Sequence, residues 1–100
     1  MKIEWTQSAE LDLCNLYDWI AKDSPERASR FIDRLLDTVS LLQGQPLMGR
    51  EVPEAGRSDV RELLVEDYRV FYSIAADCLY VLGAIHGSRD VANLQAKPWD

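Results

Sequence analysis

Glu62, Arg69 and His86 are of the residue types needed for acid–base chemistry on a phosphodiester. Cleavage of RNA without a metal requires a base for the 2′-hydroxyl, an acid for the leaving oxygen and a cation for the phosphate. Glutamate, histidine and arginine could fill these roles in that order. In the competing structural interpretation, Glu62 and Arg69 form a surface ion pair across two strands and His86 caps a strand end. We favour the structural interpretation and therefore expect no catalytic residues.

The last part of the chain is predicted to form a meander of three strands joined by two-residue turns. The strands are about 59–65, 68–75 and 78–86, with turns at Glu66-Asp67 and Ala76-Asp77. With such turns, strict alternation sorts the side chains onto two faces. An almost entirely apolar face, expected to pack against helices, contains Leu63, Val65, Val70, Tyr72, Ile74, Leu79, Val81, Gly83 and Ile85. The second face, expected to be only partly shielded, contains Glu62, Leu64, Arg69, Phe71, Ser73, Tyr80, Leu82, Ala84 and His86.

Two amphipathic helices are predicted before this meander, after an opening strand at Lys2 to Thr6. Thr6 or Ser8 can cap the first helix, and Ser24-Pro25 starts the second after a break at Lys22-Asp23. The first apolar stripe is Ala9, Leu13, Leu16, Tyr17 and Ile20. The second is Ala28, Phe31, Ile32, Leu35, Val39 and Leu42, followed by Gly44 as a C-terminal cap. The short break predicts an antiparallel helix hairpin, and the whole pattern predicts one α+β domain over residues 1–100.

Further expectations concern the 44–58 segment, the three tryptophans and the two cysteines. Residues 44–58 are predicted to form a long loop, either functional or mobile, because they hold three glycines and two prolines. Trp5 and Trp19 lie at predicted core positions, whereas Trp99 lies in a short polar tail. Cys14 and Cys78 have no metal-like spacing and are expected to be buried free thiols.

Composition narrows the classes of function. The net charge is −6 and no basic stripe occurs, so direct binding to nucleic acid through many phosphate contacts is not expected. The sequence has no Cys/His metal cluster and no glycine-rich phosphate loop, so neither a metal nor a cofactor is expected. No signal peptide and no apolar run of membrane-spanning length occur, which predicts a cytoplasmic protein.

Several short motifs, in order and over almost the full length, make the chain resemble the ParE branch of the ParE/RelE superfamily. These are the toxins of bacterial type II toxin–antitoxin modules. The motifs are Trp5-Thr6 with Ala9 and Asp12-Leu13, Trp19-Ile20-Ala21, Pro46-Leu47-Met48-Gly49-Arg50, Arg61-Glu62-Leu63, Tyr68-Arg69-Val70-Phe71-Tyr72 and His86-Gly87-Ser88-Arg89-Asp90.

The resemblance implies a β-α-α-β-β-β fold, with the helix hairpin on one face of a small, mainly antiparallel sheet. It also implies a toxin that takes part in plasmid stabilisation and is neutralised by a cognate, ParD-like antitoxin in a hetero-oligomer. RelE-like members cut mRNA in the ribosome, whereas ParE-like members act on DNA gyrase. The acidic domain, with one arginine and one histidine on the second face, favours gyrase as the target. The alternatives are a ribosome-dependent endoribonuclease using Glu62, Arg69 and His86, and a non-toxic antitoxin-binding relative.

Four arginines are the candidates for antitoxin binding, because arginine is enriched at protein interfaces and pairs well with acidic helices. They are Arg50, Arg61, Arg69 and Arg89. The exposed side of the helix hairpin is a second candidate surface. Any DNA contact of the complex is expected to come from the antitoxin.

Overall fold

A helix hairpin lies on one face of a five-stranded sheet in the computed structural model, which describes all residues from Met1 to Asp100. The strands are β1 (Lys2–Trp5), β2 (Arg50–Glu51), β3 (Val60–Val65), β4 (Tyr68–Ile74) and β5 (Cys78–His86), and the helices are α1 (Gln7–Ala21) and α2 (Pro25–Ser40). Single 3-10 turns follow at Leu41–Gln43 and Val91–Asn93. The sheet order is β1-β5-β4-β3-β2, with β1 parallel to β5 and the other neighbours antiparallel. The predicted α+β fold is therefore confirmed.

Local side-chain hydrogen bonds start both helices where the sequence predicts. The Thr6 hydroxyl accepts a hydrogen bond from the Ala9 amide at 3.1 Å, and the Ser24 hydroxyl accepts one from the Arg27 amide at 3.1 Å. Each bond satisfies an amide that has no partner within its own helix. Pro25 follows its cap in the first turn, where the missing N–H costs nothing. No helix of the protein has the length and apolar character that crossing a membrane requires.

Two apolar cores lie on opposite faces of the sheet. The larger core joins the helices to the sheet and includes Phe31, Leu35, Leu63, Val70, Tyr72, Leu79 and Val81. The smaller core covers the second face and consists of Val52, Val60, Phe71 and Val91, with Leu82, Ile85 and Trp99 packed against it. The Trp99 ring meets Phe71 edge-on at a centroid distance of 5.8 Å. The C-terminal tail and residues 52–55 therefore cover the second face more fully than the sequence predicts.

The two hairpin turns have the predicted length, but β5 does not alternate strictly. Val65 pairs with Tyr68 and Ile74 with Leu79, as expected. A β-bulge then shifts the register, so that Tyr72 pairs with Val81 while Phe71 pairs with Gly83. The extra residue moves every later side chain of β5 to the other face.

The predicted faces are consequently wrong for the four residues after the bulge. Gly83 and Ile85 lie on the second face, whereas Ala84 and His86 lie on the helix face. His86 pairs with Tyr68, whose ring packs on Phe31 of α2 at a centroid distance of 4.9 Å.

Three further expectations concern single side chains. Trp5 packs against the core as expected, but Trp19 is 65% exposed, so its predicted core position is wrong. Cys78 is buried, whereas Cys14 is exposed, contrary to the prediction. The 44–58 segment contains the short edge strand β2, which was not predicted.

Candidate functional site

Glu62 and Arg69 form an ion pair on the second face of the sheet. Arg69 donates from Nε to Oε1 of Glu62 at 2.6 Å and from Nη2 to Oε2 at 3.0 Å. The Glu62 side chain is fully buried and that of Arg69 is 9% exposed. The predicted pair across β3 and β4 is therefore present, but it is buried instead of lying on the surface. The two groups most suited to phosphate chemistry are bound to each other.

Two residues of the 44–58 segment extend this ion pair into a network. Arg69 also donates from Nη1 and Nη2 to the two carboxylate oxygens of Glu54, both at 3.0 Å. Arg50 donates from Nε to Oε2 of Glu62 at 3.0 Å. The hydrogen bonds that Arg69 donates lower the pKa of Glu54. In turn, the hydrogen bonds to Glu62 and, after it, Glu54 raise the pKa of Arg69. The network thus ties the segment to the sheet.

Tyr72 provides a second anchor for the same segment. Its buried hydroxyl donates to the Pro46 carbonyl at 2.8 Å and accepts from the Gly49 amide at 2.9 Å. Arg61 donates from Nη1 to the Gly49 carbonyl at 2.8 Å. A Cβ on Gly49 would lie 2.5 Å from the Glu62 carbonyl oxygen, so only glycine permits this approach. The segment expected to be either functional or mobile is held by several specific bonds.

The four arginines predicted to bind an antitoxin differ in how many donors they have free. Arg69 is buried and bonded to two carboxylates, and half-buried Arg61 bonds to the loop backbone. The Arg50 side chain is 61% exposed and uses only its Nε on Glu62. Arg89 is exposed, and its guanidinium makes no hydrogen bond or ion pair within the protein.

His86 does not join Glu62 and Arg69. The bulge places it on the helix face, where its ring meets Tyr68 edge-on at a centroid distance of 5.2 Å. Its Nδ1 lies 2.7 Å from the Ser88 hydroxyl and accepts a hydrogen bond from the Ser88 amide at 3.1 Å. The expectation that these three residues share one face is wrong, because strict alternation was assumed through Leu82 and Gly83. The acid–base set is not assembled in this structure.

An apolar groove of about 500 Å³ lies between the two helices and β1. Six of its seven lining residues are hydrophobic, and Leu36 remains 41% exposed. The lining residues are Trp5, Glu10, Leu13, Cys14, Tyr17, Ile32 and Leu36. Sequence reasoning placed an interaction surface on the hairpin but did not identify the groove. The sequence signal for the groove was the width of the apolar stripes on the two helices, because these stripes extend beyond the surface that the core covers.

A second depression, the α1–β5 cleft, has a volume of about 630 Å³ and a mixed polar and apolar lining. It lies beside the end of β5, where the bulge turns His86 toward α1. The lining residues are Asp12, Asn15, Leu16, Trp19, Tyr68, Ala84, Ile85, His86 and Arg89. No group of three or more His, Cys, Asp or Glu side chains in the structure has a geometry that could hold a metal ion.

The helix hairpin on a five-stranded, mainly antiparallel sheet gives this chain a ParE-like α+β fold. The family model described as "ParE toxin of type II toxin-antitoxin system, parDE" matches residues 3–91. The chain belongs to this family of ParE toxins.

A solved structure shares the fold of this chain. A chain of the solved structure titled "Chromosomal ParDE TA system from P. aeruginosa" superposes with a TM-score of 0.72 at 24% identity. The match covers 86% of this chain and 95% of that chain. No curated protein matches the sequence.

Proposed function

We propose that this protein inhibits DNA gyrase by protein–protein binding and that a cognate ParD-like antitoxin neutralises it. Membership of the ParE family supports a toxin that acts with an antitoxin partner. The observation that favours gyrase over mRNA is the buried pair of Glu62 and Arg69, with His86 on the other face. A nuclease that used these three residues would need them free and together on one accessible surface. The cytoplasm is the compartment in which we expect this inhibition to occur.

The apolar groove between the helices is the antitoxin site that we propose. A smaller depression of about 190 Å³ shares Trp5 and Leu36 with the groove and extends it along β1 to Ile3. A groove of this kind suits an amphipathic helix or an extended apolar segment, which gains affinity by burying its apolar side chains. Arg50 is a second, separate candidate contact, because its side chain is 61% exposed and only its Nε is hydrogen-bonded within the protein.

Supercoiling by purified DNA gyrase, with and without this protein, tests the proposed target. We expect loss of supercoiling activity, accumulation of cleaved DNA and recovery on addition of the antitoxin encoded beside the toxin. Unchanged supercoiling at a large molar excess of toxin over gyrase would contradict the proposal. Cleavage of mRNA in a ribosome-dependent assay, abolished by His86→Ala, would instead support the nuclease. Growth unaffected by expression of the toxin alone would support a non-toxic antitoxin-binding relative.

Calorimetric titration of the toxin with its antitoxin tests the proposed groove. Leu36→Asp places a charge on the groove wall and is expected to weaken binding at least tenfold. The matched control is Leu41→Asp, because Leu41 is 55% exposed and does not line the groove. Equal affinities of these two variants would refute the groove as the antitoxin site. Arg50→Gln in the same titration tests the second contact.

A further inference from the structure

The C-terminal tail, residues 90–100, is attached to the rest of the protein by side-chain packing alone. Its hydrogen bonds all close local turns, such as those from the Leu94 amide to the Val91 carbonyl at 3.2 Å and from the Asp100 amide to the Lys97 carbonyl at 3.0 Å. No hydrogen bond or ion pair joins residues 90–100 to residues 1–89. A segment held in this way can open locally at a lower free energy than the strands beside it.

Val91 anchors the tail, and Trp99 makes a contact close to its far end. Val91 is 1% exposed and belongs to the smaller core on the second face. Eight residues further along the chain, the Trp99 ring meets Phe71 edge-on at a centroid distance of 5.8 Å. Leu94, between these two residues in sequence, packs against the same core. The tail is therefore fixed at its start and held by partly buried side chains beyond it.

A cavity of about 430 Å³ separates part of the tail from α1 and β5. Leu94, Lys97 and Pro98 line the cavity on the side of the tail, whereas Asp12 of α1 and Leu82 of β5 line the opposite side. Protein interiors are normally close-packed, with few voids larger than a water molecule. The tail is therefore not packed against the body of the protein along its whole length.

The smaller core connects the tail with the 44–58 segment. Val52 and Ala55 of the segment pack in this core around Phe71, beside the side chains of the tail. The Arg69 guanidinium lies 4.9 Å from the centre of the Phe71 ring and also holds the Glu54 carboxylate at 3.0 Å. Phe71 thus lies between the tail and the residues that bind the segment.

We propose that residues 92–100 form a strap that opens as a unit about Val91, and that the closed strap holds residues 52–55 of the 44–58 segment against the sheet. Opening removes the Trp99 ring from Phe71 and loosens the packing of Val52 and Ala55, while the core between the helices and the sheet stays intact. The strap is thus a conformational device that sets how firmly the segment is held. This inference goes beyond the proposed function, because it concerns an internal motion and does not depend on which target the toxin binds.

Amide hydrogen exchange, measured by NMR on the full chain, tests the strap. The Val52 and Ala55 amides donate backbone hydrogen bonds of 3.2 Å and 3.1 Å, so their exchange reports opening of this part of the segment. Trp99→Ala is expected to accelerate exchange at both amides by about tenfold or more, because the closed strap loses its aromatic contact. The matched control is Trp19→Ala, because Trp19 is 65% exposed and lies outside the smaller core. The control should keep the wild-type rates.

A second variant and an internal reference complete the test. Leu94→Ala should accelerate the same two amides, because Leu94 belongs to the same strap. The Gly49 amide should keep its wild-type rate in both strap variants, because the Tyr72 hydroxyl holds it at 2.9 Å, independently of the strap.

Three results would overturn the inference. Wild-type exchange at the Val52 and Ala55 amides in Trp99→Ala would show that the strap does not hold the segment. Acceleration by the same factor at these amides, at the Gly49 amide and throughout α2 would show that Trp99 acts on global stability and that no separate strap opens. Acceleration in only one of the two strap variants would show that residues 92–100 do not open as a unit.

Discussion

Arg69 holds the Glu62 carboxylate at both oxygens, with distances of 2.6 Å and 3.0 Å, beneath the 44–58 segment. Removing two charged groups from water costs several kcal/mol per ion, which is offset only when geometry and hydrogen bonding are good. Here Arg50 and Glu54 supply the further bonds. The network therefore makes the fold of the segment depend on the sheet beneath it.

Arg69→Met is expected to destabilise the protein by about 3–5 kcal/mol, because it leaves the Glu62 carboxylate buried without its main partner. The double variant Glu62→Leu/Arg69→Met should cost less than Arg69→Met alone, since neither charge then remains buried. Urea denaturation measures both free energies of unfolding. Arg57→Met is the control, because Arg57 makes a similar two-point contact with Asp59 at an exposed site. If Arg57→Met and Arg69→Met cost the same, burial does not make the Glu62 carboxylate depend on Arg69.

The pH dependence of stability should carry a contribution from Glu54. Arg69 lowers its folded-state pKa below the ordinary value of 4.5. The stabilisation is therefore complete above that unfolded-state value and is lost as the pH falls through the lower folded-state pKa. Glu54→Gln should remove this acid sensitivity while reducing stability at pH 7. The free energy of unfolding of both proteins is measured between pH 7 and pH 3. If the wild type and Glu54→Gln showed the same slope against pH, the expectation would be contradicted.

Asp12 should change the pH dependence of stability in the direction opposite to that of Glu54. Burial raises its folded-state pKa above the ordinary value of 3.8, although the Ala84 amide partly opposes this. Its contribution to stability is fully present below that unfolded-state value and is lost as the pH rises through the folded-state pKa. Asp12→Asn keeps an acceptor for Ala84 and removes the titration. The same pH series should show equal or greater stability for Asp12→Asn at pH 7, and a clear loss there would indicate that the charge itself is needed.

Local sequence signals were sufficient to predict the helix starts and the hairpin turns of this chain. Thr6, Ser24 and Pro25 mark helix starts through contacts within three residues, so their effect does not depend on the tertiary fold. The pairing of Glu62 with Arg69 was also predictable from opposite charges on adjacent strands. Its burial was not, because the covering segment bonds to the sheet through Glu54, whose position no local pattern specifies.

The predictions for His86 and Trp19 are wrong because the tertiary structure interrupts the alternation of a strand or limits the surface that a helix covers. Alternation assigned His86 to the wrong face because one inserted residue shifts all that follow. Gly83 was a usable signal, since an isolated glycine in a strand often marks a bulge. A Cβ there would lie 2.8 Å from the Asp12 Oδ2, so the glycine also permits the contact between α1 and the bulge. Helical periodicity predicts a core position for Trp19 because it does not show where the sheet beneath a helix ends.

Tyr72→Phe tests whether the 44–58 segment is fixed by its bonds or only by its covalent ends. The substitution keeps the buried ring but leaves the Pro46 carbonyl and the Gly49 amide without their partner. Each unsatisfied buried group costs about 1–3 kcal/mol, so the free energy of unfolding should fall by at least about 1 kcal/mol. Hydrogen exchange at the Gly49 amide should accelerate by about tenfold for each 1.4 kcal/mol lost, if exchange occurs through local opening. Tyr80→Phe removes a hydroxyl from a tyrosine that is 41% exposed and should change neither quantity. If the Gly49 amide exchanged equally fast in all three proteins, the Tyr72 hydroxyl would not be an anchor of the segment.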